Sequence, residues 1–321
     1  MESEDAIDNI KLIYLEDGNP DEYAAYMRQL GRPLSVSTED SLSYGAAEKL
    51  YDDQNFNGAL TAFSNYLRKF PDGAYVLDAN INRADIYYAR KDLTNALASY
   101  EEVAANAPNK YAERAVLTAA RIYFFELKNY SGAEKNYEQL KQITASQENK
   151  LEAMRGLLRC HYQQEKWTEA LENAKELTAA KGSSVDDKSM ANMAIAKSYQ
   201  VSGQFDLAIA NFKSVVQLNK AALAAEARYE IADCWFRVNK LTEAEKAAFE
   251  TINKSGSYDY WITKAYILLG DIYFKQKDYF NAKATFQSVV DNTINAELKT
   301  EAQAKLIKAT EEEGKSSKVN N

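Results

Sequence analysis

Seven alanines, Ala59, Ala96, Ala133, Ala170, Ala208, Ala244 and Ala282, stand 36 to 38 residues apart through most of a 321-residue chain. Each follows a large side chain by three residues, as in Tyr279-Phe280-Asn281-Ala282, and in most cases another large one comes four residues later, as at Phe286. A fixed period of this size marks a stacked array in which each unit packs only on its neighbours. The array overrides the expectation of two globular domains that the length alone would raise. With only 4 prolines and 12 glycines, the chain is expected to be helical nearly throughout.

Each unit reads as two antiparallel helices, A and B. In the second unit, helix A is expected over about 78–90, a turn at Lys91-Asp92-Leu93, and helix B over 94–106, ended by Pro108. The repeated alanine falls early in helix B, where a small side chain lets helix A approach. Ahead of the array, residues 6–16 and 21–30 read as a helix pair split at Gly18-Asn19-Pro20, with Asn19 and Glu22 as a capping box. The expected division is 1–39 for this pair and a linker, 40–294 for seven hairpins, 295–313 for a capping helix and 314–321 for a disordered tail. The pair is either a cap or the end of a preceding repeat.

Two helices per unit, an aromatic then alanine where they cross, Phe or Tyr four later and a closing proline resemble the tetratricopeptide repeat. Leu269-Gly270-Asp271-Ile272-Tyr273 matches that family's helix A signature, although Ala47, Ala84, Arg121, Leu158, Ala196 or Ala232 replaces the glycine elsewhere. The resemblance implies an all-α, right-handed αα-solenoid superhelix acting as a protein-binding scaffold. Units longer than the family's usual 34 residues, joined by stretches such as Asn65-Tyr66-Leu67-Arg68-Lys69-Phe70-Pro71, are similar to bacterial cell-envelope members. These are the Tol-Pal accessory protein and the lipoprotein of the outer-membrane assembly machine. A periplasmic or outer-membrane-associated location is therefore expected from resemblance, with the cytoplasm as the alternative.

Catalysis is poorly supplied. The single histidine, His161, occupies a helix A position that is aromatic at Tyr87, Phe124, Tyr199 and Tyr273, and Cys160 beside it lies about 100° around the helix. It reads as a core histidine, and Cys160 and Cys234 as small buried side chains too far apart to bridge. No acid, base and nucleophile set, no metal cluster and no phosphate loop can be assembled, so no enzyme, metal or cofactor is expected. Of the net charge of −8, residues 1–40 carry −7 (ten acids, three bases), which leaves the array nearly neutral and disfavours nucleic acid. No apolar run is long enough to insert in a bilayer, and the acidic start, Met1-Glu2-Ser3-Glu4-Asp5, does not read as a signal peptide.

Recognition is expected on helix A. With each repeated alanine counted as position 20, positions 2, 5, 9, 12 and 13 form a stripe turned away from helix B. The family resemblance makes it the concave wall. Position 12 is aromatic at Tyr51, Tyr88, Phe125, Tyr162, Phe236 and Phe274, with Gln200 the exception. Rings in such a lane suit an extended peptide or a partner helix, or else half-bury against neighbouring helices. Arg155, Arg159 and Lys197 place a basic centre between acidic shoulders such as Glu48, Asp85, Glu226 and Asp233. An acidic ligand could answer that centre, or Glu152 and Glu126 could answer it internally. The family's Lys/Asn clamp for a peptide carboxylate is not carried over, because positions 5 and 9 hold Arg155 and Arg159. The competing function is a structural spacer, or the C-terminal module of a longer repeat protein, that assembles through its ends or convex face.

Overall fold

The computed structural model describes residues 4–319, with side chains to 315, and these are helical apart from turns. The chain divides into two units, 1–156 and 157–321. The first holds α1 (Glu4–Glu16), α2 (Pro20–Gln29), α3 (Val36–Asp52), α4 (Phe56–Lys69), α5 (Val76–Ala89), α6 (Leu93–Ala105), α7 (Ala112–Arg121), which continues as a π-helical turn (Ile122–Glu126), and α8 (Tyr130–Ile143). Helix α9 (Gln147–Gln163) runs past the division. The second unit goes on through α10 (Trp167–Ala179), α11 (Val185–Val201), α12 (Phe205–Leu218), α13 (Ala222–Arg237), α14 (Leu241–Lys254), α15 (Asp259–Lys275), α16 (Tyr279–Asn292) and α17 (Ala296–Val319). Each unit is a segment of αα-solenoid. All seven repeated alanines are fully buried where helix B meets helix A.

The hairpin turn repeats one backbone device seven times. Position 15 has positive φ in every unit: Gln54, Lys91, Lys128, Glu165, Gly203, Asn239 and Lys277. The next residue then donates back across the helix end, as Asn55 N does to Leu50 O at 2.8 Å and Asp278 N to Tyr273 O at 2.9 Å. In several units that residue also caps helix B, its side chain accepting from Gly58 N (Asn55), Asn95 N (Asp92) or Gly132 N (Asn129). A left-handed residue thus closes one helix while its successor starts the next. A Cβ at Gly203 would meet nothing within 4 Å, so any cost of replacing it is conformational. Gly203→Val is expected to lower stability by about 1–2 kcal/mol and Gly203→Asn by less than half of that, read from denaturant midpoints.

In the first unit, carboxylates fasten successive hairpins. Asp40 accepts the Tyr66 hydroxyl at 2.6 Å and Ala74 N at 2.8 Å. Asp78 takes Tyr111 at 2.6 Å and Lys110 at 2.7 Å. Glu113 accepts from Asn149 and Thr144, and these bonds hold its carboxyl below the usual range.

Four expectations change. Asn19 makes no side-chain cap on α2. The linker ends sooner than expected because Ser35 caps α3 by accepting from Thr38 N, so the helix starts at Val36. The last helix does not end near residue 313: it continues through Gly314 to Val319, with ion pairs from Lys315 to Glu312 (2.7 Å) and Lys283 to Glu313 (2.5 Å) on either side of the glycine. Residues 320 and 321 lie outside the described residues. The fourth change is the π-helical turn, which inserts one residue into the third helix A. Asn129 N consequently bonds Tyr123 O, six residues back, where the other turns span five. Everything before the turn shifts by one, so that buried Ala120, not exposed Arg121, occupies the small-residue position.

Candidate functional site

In the first unit the position-12 rings are largely used for packing. Tyr51 meets Phe56 and Phe63 edge-on at 5.9 and 6.4 Å. Tyr88 is half-buried on the core, with Lys91 5.5 Å over its ring. In the third hairpin the shifted register gives the contact to Phe124, which packs on Tyr130 at 5.2 Å. Phe125 is the extra residue and is left 49% exposed. Arg155 lies 3.7 Å from Glu152, which also accepts from Arg121 at 2.9 Å. Glu126 pairs instead with Lys91 at 3.7 Å. The acidic shoulder is likewise occupied, Glu48 by the Tyr44 hydroxyl and Asp85 by Tyr100 and Arg114.

In the second unit two lane rings are covered. Lys275 lies 4.8 Å over Phe236, and Lys308 5.2 Å over Phe274, which also packs edge-on against Tyr279 at 5.4 Å. Lys197 is enclosed by acids. Its Nζ is 2.5 Å from Glu230 and 3.8 Å from Glu226, and the three side chains are 17%, 9% and 20% exposed. Gln200 donates to Glu230 at 2.7 Å and to Asp233 at 3.1 Å, and Arg237 donates to Asp233 at 2.5 Å. Burial still pushes the carboxyls of Glu226 and Asp233 above their ordinary range, against the pull of these cations. The Tyr162 hydroxyl donates to Glu226 at 3.1 Å, two hairpins along the stack, and burial beside that carboxylate raises its pKa.

Beside this network lies a cavity of about 270 Å³ between α9, α11 and α13. Its apolar walls are Leu158, Met190, Met193 and Leu223. Its polar groups are Arg159, Tyr162, Gln163 and Glu226. Six of these eight, Arg159, Tyr162, Gln163, Met190, Met193 and Glu226, sit at positions 2, 5, 9, 12 or 13 of their hairpins, the stripe expected for recognition. Arg159 is half-buried and, among the described residues, makes no ion pair. The two methionines escaped the sequence reading, which weighed only charges and rings; their positions on the stripe were the available signal.

The arrangement can hold a group but offers no nucleophile. His161 is buried, its Nδ1 2.8 Å from the Asn173 amide, and Cys234 is a buried thiol that desolvation pushes up to about 12. Among the described residues no cluster could hold a metal ion and no helix is long and apolar enough to cross a membrane.

Antiparallel helix pairs stacked at a fixed period, with a cavity on the A-helix face, define an αα-repeat protein of the scaffold class. Family models described as tetratricopeptide repeat match residues 44–111, 193–259 and 264–292, and the chain belongs to that family. Among solved structures it is similar to the C-terminal part of a tetratricopeptide repeat protein of Cytophaga hutchinsonii (14% identity, TM-score 0.53, 79% of this chain and 97% of that one). It is also similar to a STAND signal-transduction ATPase with a tetratricopeptide repeat sensor from Pyrococcus horikoshii (16%, 0.54, 96% and 50%). A repeat protein of Parabacteroides merdae aligns at 18% identity and a TM-score of 0.45, over 85% of this chain and all of that one. No curated protein matches. At these identities the likeness speaks for the fold alone, and the family is one of protein-interaction scaffolds.

Proposed function

We propose that this protein is a non-enzymatic scaffold that holds a peptide or helix of a partner protein against the A-helix face of its second unit, centred on the cavity beside Arg159 and Tyr162. The observation that carries this reading is the convergence of stripe positions from three hairpins on one cavity whose cation, among the described residues, makes no ion pair. The rings expected to form a lane support it less, because most are packed on their own hairpins or lie under lysines. The resemblance of the longer units to envelope proteins favours an assembly in a bacterial cell envelope.

A photo-crosslinking residue at Gln163, on the cavity rim, should capture the partner in cells that make the protein, whereas one at Phe249, exposed on α14, should not. The competing reading, a spacer assembling through its outer faces, is favoured by Phe280 and Ile294, which are 74% and 102% exposed. Capture from Phe249 or Phe280 alone would decide for the spacer.

A further inference from the structure

We infer that the cavity beside Arg159 selects peptides in which an aliphatic or aromatic residue stands within two positions of an aspartate or glutamate, the apolar side chain filling the cavity and the carboxylate pairing with Arg159. This deepens the peptide-binding reading and rests on it.

The size favours a side chain over a whole metabolite, since about 270 Å³ lies just below the range of ordinary small-molecule sites, roughly 300–1,000 Å³. Met190 and Met193 make an adaptable apolar wall, so leucine, methionine and phenylalanine should all be accepted. The charge requirement is more selective. Every other charge around the cavity is answered within the chain: Glu226 by Tyr162 and Lys197, Glu230 by Lys197 and Gln200, Asp233 by Arg237. Among the described residues, only Arg159 at the cavity presents guanidinium donors with no carboxylate opposite, and their planar fork fits one carboxylate. A phosphate would bring more negative charge toward Glu226 and Glu230 with a single free cation to receive it, so an acidic side chain fits better than a nucleotide or phosphopeptide. At the rim, the Gln163 amide can pair with a peptide backbone.

The test is selection of a random twelve-residue phage library on the full chain, followed by affinity measurement with one selected synthetic peptide. Wild-type protein should enrich Asp or Glu beside Leu, Met or Phe, and Arg159→Glu should enrich Lys or Arg in place of the acid. Changing the peptide's acid to its amide should weaken binding to wild type about tenfold and leave binding to Arg159→Gln unchanged, with circular dichroism confirming that both variants fold. Peptides enriched without an acid bias, or the same sequences chosen by Arg159→Glu, would overturn the inference while leaving peptide binding intact. Failure of folded wild type to enrich any peptide would overturn the inference together with the peptide-binding reading beneath it.

Discussion

Replacing Lys197 by methionine is expected to cost the second unit about 3 kcal/mol at pH 7 and clearly less at pH 5. The lysine lies between two largely buried carboxylates, Glu230 at 2.5 Å and Glu226 at 3.8 Å. Methionine fills much the same volume but leaves both acids without their cation. The pH dependence follows from Glu226. Burial raises its carboxyl pKa in the folded protein even with Lys197 present. A carboxyl raised in this way contributes stability that is intact below its unfolded pKa of about 4.3 and is lost as pH rises through the folded value. Without Lys197 the folded value rises further, so the deficit of the variant grows from pH 5 to pH 7. Because a repeat array is stabilised locally, the loss should appear as faster amide exchange in α11 and α13 and hardly at all in α3 to α6. Adding Glu230→Gln should recover a large part of it. An equal loss at both pH values would show that packing of the lysine stem, and not its charge, is what the structure uses.

The hairpins were legible because each must solve one packing problem, helix B against helix A, and the solution is a buried alanine that cannot vary. The third hairpin was not legible in its register. Counting back from Ala133 assumes an unbroken α-helix, and the π-helical turn at Ile122–Glu126 adds a residue that no periodicity announces. One sign of it was present: Arg121 is the one charged residue at a position that holds Ala or Gly in five other units and Leu158 in the fourth, with Ala120 just before it. The stripe that lines the cavity was legible for the same reason, since helical spacing alone decides which side chains share a face. What occupies that stripe was not. Whether Lys275 lies over Phe236, or Tyr162 reaches Glu226 64 residues away, depends on how far one hairpin is offset from the next. That offset comes from packing across the stack and leaves no mark in the text of a single unit.

Gly270→Leu and Phe286→Ala should each be severely destabilising alone and largely compatible together. A Cβ built at Gly270 would stand 2.4 Å from Cε1 of Phe286, whose ring is 1% exposed and has nowhere to move. A leucine there should therefore cost about 3 kcal/mol by overpacking. Removing the ring from α16 while α15 keeps Gly270 leaves a cavity and should cost about 4 kcal/mol. The reason to expect mutual rescue is in the chain itself. At the same two positions most hairpins pair a small residue on helix A with a ring on helix B, as Ala84 with Tyr100 and Ala196 with Phe212. The fourth reverses the sizes with Leu158 and Ala174, both fully buried. The double variant reproduces that solution in the seventh hairpin. Its midpoint in urea should lie within about 2 kcal/mol of wild type, a coupling well beyond the few tenths expected of independent sites. Simple addition of the two losses would mean that the size of each crossing is set by neighbouring hairpins and cannot be exchanged one pair at a time.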